Sequence, residues 1–131
     1  MRAFLDTNVL LYAFVDDVRR PEAQQLLDGT AIISVQCLNE FATVSLRKQR
    51  VEWIEIRERI DLIRTGTAHI VPLTDAIHRD GLRIAERYRL SIYDSMIAAA
   101  ALSAGCDRLW SEDLHHDLVI DDRLRVANPF R

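Results

Sequence analysis

Apolar positions fall along the chain in blocks whose spacing switches between strand-like runs and helical stripes. Residues 2–6, RAFLD, predict a short strand, and Val9, Leu10, Ala13 and Phe14 immediately after it recur at helical spacing. Residues 20–29, RPEAQQLLDG, predict a second helix, with Pro21 near its first turn and Gly29 closing it. AIISV at 31–35 is a buried strand. The helix predicted over 36–50 carries Cys37, Leu38, Phe41, Ala42 and Val44 as its apolar stripe, with Glu40 at the stripe's border and Asn39 and Arg47 pointing outward. Residues 51–66 are amphipathic, with Trp53, Ile54, Ile56, Ile60 and Ile63 as one face of half a helical hairpin. HIVPL at 69–73 predicts a third strand. The helix over 74–90, opened by Thr74, carries Arg79, Arg83 and Arg87 four apart, a stripe suited either to a phosphate backbone or to a solvated face with Asp75 paired to Arg79. RLWSED at 108–113 is a fourth strand ending in acids, LHHD a loop, and 123–131 a short terminal strand stopped by Pro129.

The block at 91–103, SIYDSMIAAAALS, breaks the pattern. It is rich in Ala and has no polar face, so it reads as a helix buried on all sides. Asp94 stands alone in it, and its helical neighbours Ile97, Ala98 and Ala101 offer an anion nothing. One reading is a capping box, with Ser91 as N-cap and Asp94 bonding back to its amide. The other adds a metal ion held at the helix N-terminus, where the macrodipole also favours negative charge.

Strands alternating with helices predict an α/β fold, a three-layer α/β/α sandwich around a mainly parallel sheet of four to five strands, with residues 1–131 as one domain. Strand ends and helix starts of one polarity then meet along one sheet edge, where open α/β sheets bind ligands. Asp6 and Asp113 end strands, Asp94 starts a helix, and Glu40 lies near the first turns of its own. Four carboxylates in one cleft do not all stay ionised without a cation. Oxygen ligands without Cys or a well-placed His select Mg²⁺ or Mn²⁺ over Zn²⁺.

Composition narrows this further. At 131 residues and 49% hydrophobic content the chain can build a real core. Cys37 and Cys106 lack metal or redox spacing and are expected as reduced core residues. No apolar run approaches the roughly 20 residues of a membrane span, and no signal-peptide pattern opens the chain, so the expected location is the cytoplasm, away from any membrane. A net charge of −3 argues against bulk coating of nucleic acid, although sixteen of the seventeen cations are Arg, the side chain that forks onto phosphate.

FLDTNVLLYAF at 4–14, SVQCLNEF at 34–41, SIYDSMIAAAAL at 91–102, and LWSEDL followed by NPF together resemble the PIN-domain family, in particular the VapC-type toxin ribonucleases of type II toxin–antitoxin pairs. The resemblance runs nearly end to end. It implies an acidic catalytic site at Asp6, Glu40, Asp94 and Asp113, with Asp6, Asp94 and Asp113 as metal ligands and Asn8 and Ser111 as supporting polar residues. It further implies an RNA substrate, a VapB-type antitoxin that blocks the cleft, and a homodimer. Asp117 departs from the pattern by standing where close relatives are expected to carry Gly. It is a possible additional acid, as is Glu112. The alternatives are a PIN-fold nuclease outside a toxin pair, or a catalytically silent binding module. Phosphoryl transfer through Asp6 is disfavoured, because the single lysine, Lys48, lies far along a surface-facing helix.

Overall fold

The computed structural model describes residues 1–131. In chain order the elements are β1 (Ala3–Leu5), α1 (Thr7–Tyr12), α2 (Arg20–Leu26), β2 (Ala31–Ser34), α3 (Val35–Arg47), α4 (Trp53–Thr65), β3 (Thr67–Val71), α5 (Asp75–Tyr88), α6 (Ile92–Ser103), β4 (Arg108–Trp110), β5 (Val119–Ile120) and β6 (Leu124–Ala127). The short apolar runs become strands because they can be buried on both faces: all four residues of β2 are buried, as are Phe4 and Leu5 of β1. Helices start where a polar side chain follows a strand or turn. Asp6, Ser34, Thr74 and Ser91 each accept a backbone N–H at the start of α1, α3, α5 and α6.

The strands order as β3-β2-β1-β4-β6-β5, parallel throughout except for β5, which pairs antiparallel with β6. The chain therefore builds outward from β1 through β2 to β3, then returns to add β4 on the other side of β1. Right-handed crossovers in opposite directions put helices on both faces of the sheet. The reversal also opens a crevice at the carboxyl ends of β1 and β4, the switch point at which such sheets hold ligands. Phe4, Leu5, Ile33, Phe41, Ile97 and Leu109 are wholly buried in the core between the layers. Helices α5 and α6 approach so closely that a Cβ on Gly81 would stand 2.6 Å from the Met96 sulfur, which fixes α6 two residues beyond Asp94.

Four expectations need correction. The sheet has six strands, the extra one being the two-residue β5. The third helix ends at Arg47, before Arg50, which is left-handed at φ 54°. Within α4 only Ile56 and Ile63 are fully buried, while Trp53 and Ile54 are exposed. Ile54 lies two residues from Ile56 and so faces away from it, and Trp53 sits in the opening turn. Burial of α6 begins at Ser95: Ile92 and Tyr93 protrude, and Asp94 is half-buried. Both cysteines are buried and unpaired. No helix is long and apolar enough to cross a membrane.

Candidate active site

Asp6 is the first residue past β1 and is 2% exposed. Its amide donates to the Trp110 carbonyl at the end of β4 (3.0 Å), which ties the two strand ends across the switch point. Its Oδ1 accepts from the Thr7 amide (2.7 Å), and its Oδ2 accepts from Ser111 Oγ (2.6 Å) and, at 3.4 Å, from Asn8 Nδ2. Ser111 Oγ in turn accepts from the amides of Asp113 (3.2 Å) and Leu114 (3.3 Å). With both lone pairs so engaged, the one hydroxyl proton of Ser111 is directed at Asp6. Every contact around Asp6 thus treats it as an acceptor, yet burial and the charges of Asp94 and Glu40 push its pKa from 3.8 up to about 7.

Glu40, in the second turn of α3, and Asp94, in the first turn of α6, are half-buried. Burial raises the pKa of both carboxyls. The fields of Asp94 and Asp113 add to the rise at Glu40, and that of Asp113 to the rise at Asp94. Hydrogen bonds oppose these rises: Gln36 Nε2 donates to Glu40 Oε2 (3.0 Å), and Ser91 sits beside Asp94. The capping box is only half formed, because the Asp94 amide donates to Ser91 Oγ (3.1 Å) while no bond returns from the Asp94 carboxylate to the Ser91 amide. That carboxylate is left to face the other acids. Asp113 is exposed, in the turn after β4 and not on the strand itself. The four acids thus share one electrostatic neighbourhood, graded from buried Asp6 to open Asp113.

Asn8 supports this arrangement from the side, its Oδ1 accepting from the Glu112 amide (3.2 Å). Glu112 turns away. Its carboxylate accepts from the Tyr12 hydroxyl (2.6 Å) and from Arg19 Nε (2.8 Å), and Arg19 also lies over the Tyr12 ring. Asp117, which was a possible additional acid, pairs with Arg125 (3.7 Å) and His116 (3.5 Å) instead. Its φ of +68° is a conformation that favours glycine, which gives the expected departure a backbone basis. The adjacent histidines form no site, and His116 Nδ1 accepts locally from the Asn128 amide. Sequence reasoning missed Gln36, whose i,i+4 spacing to Glu40 was a usable signal, and the clasp of Tyr12, Arg19 and Glu112, whose partners lie up to 100 residues apart.

No ion pair reaches Asp6, Glu40, Asp94 or Asp113. The donors are all oxygen, the set that hard divalent cations take, and the buried Thr7 Oγ1 beside Asp6 has no hydrogen-bond partner. By donor chemistry the residues fit such an ion. As placed, no three His, Cys, Asp or Glu side chains are close enough together to hold one.

Comparison with known proteins identifies the family. The model of the PIN domain family matches residues 3–119, and the chain belongs to that family. No curated protein matches it. Among solved structures, a toxin–antitoxin complex from Klebsiella pneumoniae is similar at 24% identity and a TM-score of 0.71, over 97% of each chain. A Mycobacterium tuberculosis VapC toxin that cleaves the sarcin–ricin loop is similar at 16% identity and 0.68, over 85% of this chain and 91% of that one. The VapBC2 proteins of Rickettsia felis, bound to a DNA fragment from their promoter, are similar at 18% and 0.62, over 98% of each chain. At these identities the likeness is one of fold.

Proposed function

From membership in the PIN-domain family and from the unpaired acids at the switch point, we propose that this chain is a VapC-type toxin, a metal-dependent endoribonuclease. It would act in the cytoplasm as a homodimer, held in check by a VapB-type antitoxin. The toxins and toxin–antitoxin complexes among its structural neighbours support that reading. The observation that carries it is Asp6, a buried carboxylate raised to about 7 with no cation near it. Ionising Asp6 there is unfavourable, and it becomes favourable near neutral pH when a cation pairs with the carboxylate.

In this reading Asp6, Asp94 and Asp113 would hold Mg²⁺ or Mn²⁺, and the ion would supply activation of a water and screening of the phosphodiester charge. The chain's own residues prepare the site. Ser111 and the Thr7 amide fix both oxygens of Asp6, so the carboxylate meets its ligand in one orientation. Glu40, anchored by Gln36 and raised by burial, is suited to take the proton of the attacking water. Asn8 holds the Glu112 amide and thereby the turn that carries Asp113.

The test is cleavage of unstructured RNA by the purified chain with Mg²⁺, with Mn²⁺ and with chelator, beside Asp6→Asn. Cleavage that needs the ion and vanishes in the variant is the expected result. Equal cleavage with chelator, or by the variant, would overturn the reading.

A further inference from the structure

A groove of about 480 Å³, its surface more apolar than polar, opens beside Glu40, lined chiefly by Gln36, Asn39, Glu40, Thr43 and Arg47 of α3 and walled by Tyr93 of α6. Its size lies within the range of about 300–1,000 Å³ typical of ligand sites. The α3 residues 36, 40, 43 and 47 follow helical spacing, so the groove is one face of that helix, running from the acid cluster toward Arg47. Seven residues separate Glu40 from Arg47, about 10 Å along the axis, a short reach along an RNA strand. Arg47 is exposed and forms no ion pair, unlike Arg79 and Arg83. Tyr93 is 65% exposed, and its ring pairs with no aromatic of the chain. It immediately precedes Asp94, so the backbone that positions the acid also positions the ring.

We propose that this groove binds an unpaired nucleotide next to the scissile phosphate, its base stacked on Tyr93, its base edge against Asn39 and its phosphate on Arg47. The inference rests on the nuclease reading above and adds which side chains of this chain meet the nucleotide. A base stacked within a duplex has no free face for Tyr93, so the contact with Tyr93 requires an unpaired base. Stacking on an aromatic side chain tolerates any base, so the groove selects strand state more than sequence.

The probe is a fluorescein-labelled oligouridylate, titrated into the Asp6→Asn chain with and without Tyr93→Ala, Tyr93→Phe or Arg47→Ala. Tyr93→Ala should weaken binding about tenfold, within the range for loss of one base–aromatic stack. Tyr93→Phe should stay close to the parent, Arg47→Ala should weaken binding and flatten its salt dependence, and an abasic nucleotide at the stacked position should cancel the Tyr93→Ala loss. In the otherwise wild-type chain, Tyr93→Ala should raise KM and leave kcat. A Tyr93→Ala variant that binds like its parent overturns the inference. So does a loss equally large on duplex RNA, or one confined to binding of a protein partner. If the wild-type chain cleaves no RNA while Asp6→Asn binds in a Tyr93-dependent way, the nuclease reading falls and the groove stands. If the chain cleaves and Tyr93→Ala keeps the wild-type KM, the groove falls and the nuclease reading stands.

Discussion

The switch-point cluster and the outer face of α5 treat the same side chain in opposite ways. Asp121 accepts two hydrogen bonds from the Arg83 guanidinium (2.6 and 3.2 Å) and one from the Tyr88 hydroxyl (3.2 Å), and its pKa is lowered, chiefly by the Arg83 bonds. Arg83 also binds Asp80, and Arg79 pairs with Asp75, so two of the three arginines in the α5 stripe are held by carboxylates of the chain. Asp6 likewise accepts a hydroxyl and an amide, but no cation comes near and burial raises it to about 7. Hydrogen bonds alone do not offset burial among like charges. The chain has arginine to spare and places none of it in an ion pair with the cluster.

The largest expected contrast is catalytic. Asp6→Asn should lower RNA cleavage by two to three orders of magnitude or more, the scale on which removing a charge-stabilising group acts. Arg83→Ala should leave the rate unchanged, and comparable losses in the two variants would erase the contrast.

Stability against pH should differ in sign between the regions. The folded pKa of Asp6 lies above its unfolded value, so its contribution is fully present below about pH 4 and is lost as pH rises through about 7. At about 1.4 kcal/mol per unit this is on the order of 4 kcal/mol, measurable by denaturant melts in chelator and absent from Asp6→Asn. Asp121 lies below its unfolded value, so its contribution is present above about pH 4 and is lost as pH falls further. Asp121→Asn should therefore flatten only the acid limb. A chelated wild type whose stability is flat from pH 4 to 8 would contradict the electrostatic account of Asp6.

Ser111→Ala should weaken activity or ion affinity by about 10- to 100-fold with the fold intact, since Ser111 acts by orienting Asp6. The smallest effect belongs to Arg79→Ala, which should change stability by no more than about 0.5 kcal/mol, because both partners of its pair are largely exposed.

Local signals carried most of the architecture. Asp6, Thr74 and Ser91 were legible as helix starts because each is a short polar side chain at the edge of an apolar run, and the helices do start there. Strand β5 was not, because two residues make no periodicity. Its three-residue loop to β6 uses Asp121 and Asp122 in left-handed conformations in place of a glycine signal. The exposure of Ile54 follows from its two-residue offset from the buried Ile56, and that of Trp53 from its place in the opening turn of α4. At the site, the lone acid in an apolar helix marked Asp94, whereas its neighbours Glu40 and Asp113 are set by topology. The turning of Glu112 toward Tyr12 and Arg19 rests on tertiary contacts alone.

The proposed cation site at Asp6 is checked by calorimetric titration of Mn²⁺ into the wild-type chain near pH 7, in two buffers of different ionisation enthalpy. Because Asp6 is partly protonated there, binding should release protons, and Asp6→Asn should abolish both the binding and the release. Absence of binding to the wild type, or undiminished binding to Asp6→Asn, would contradict the account.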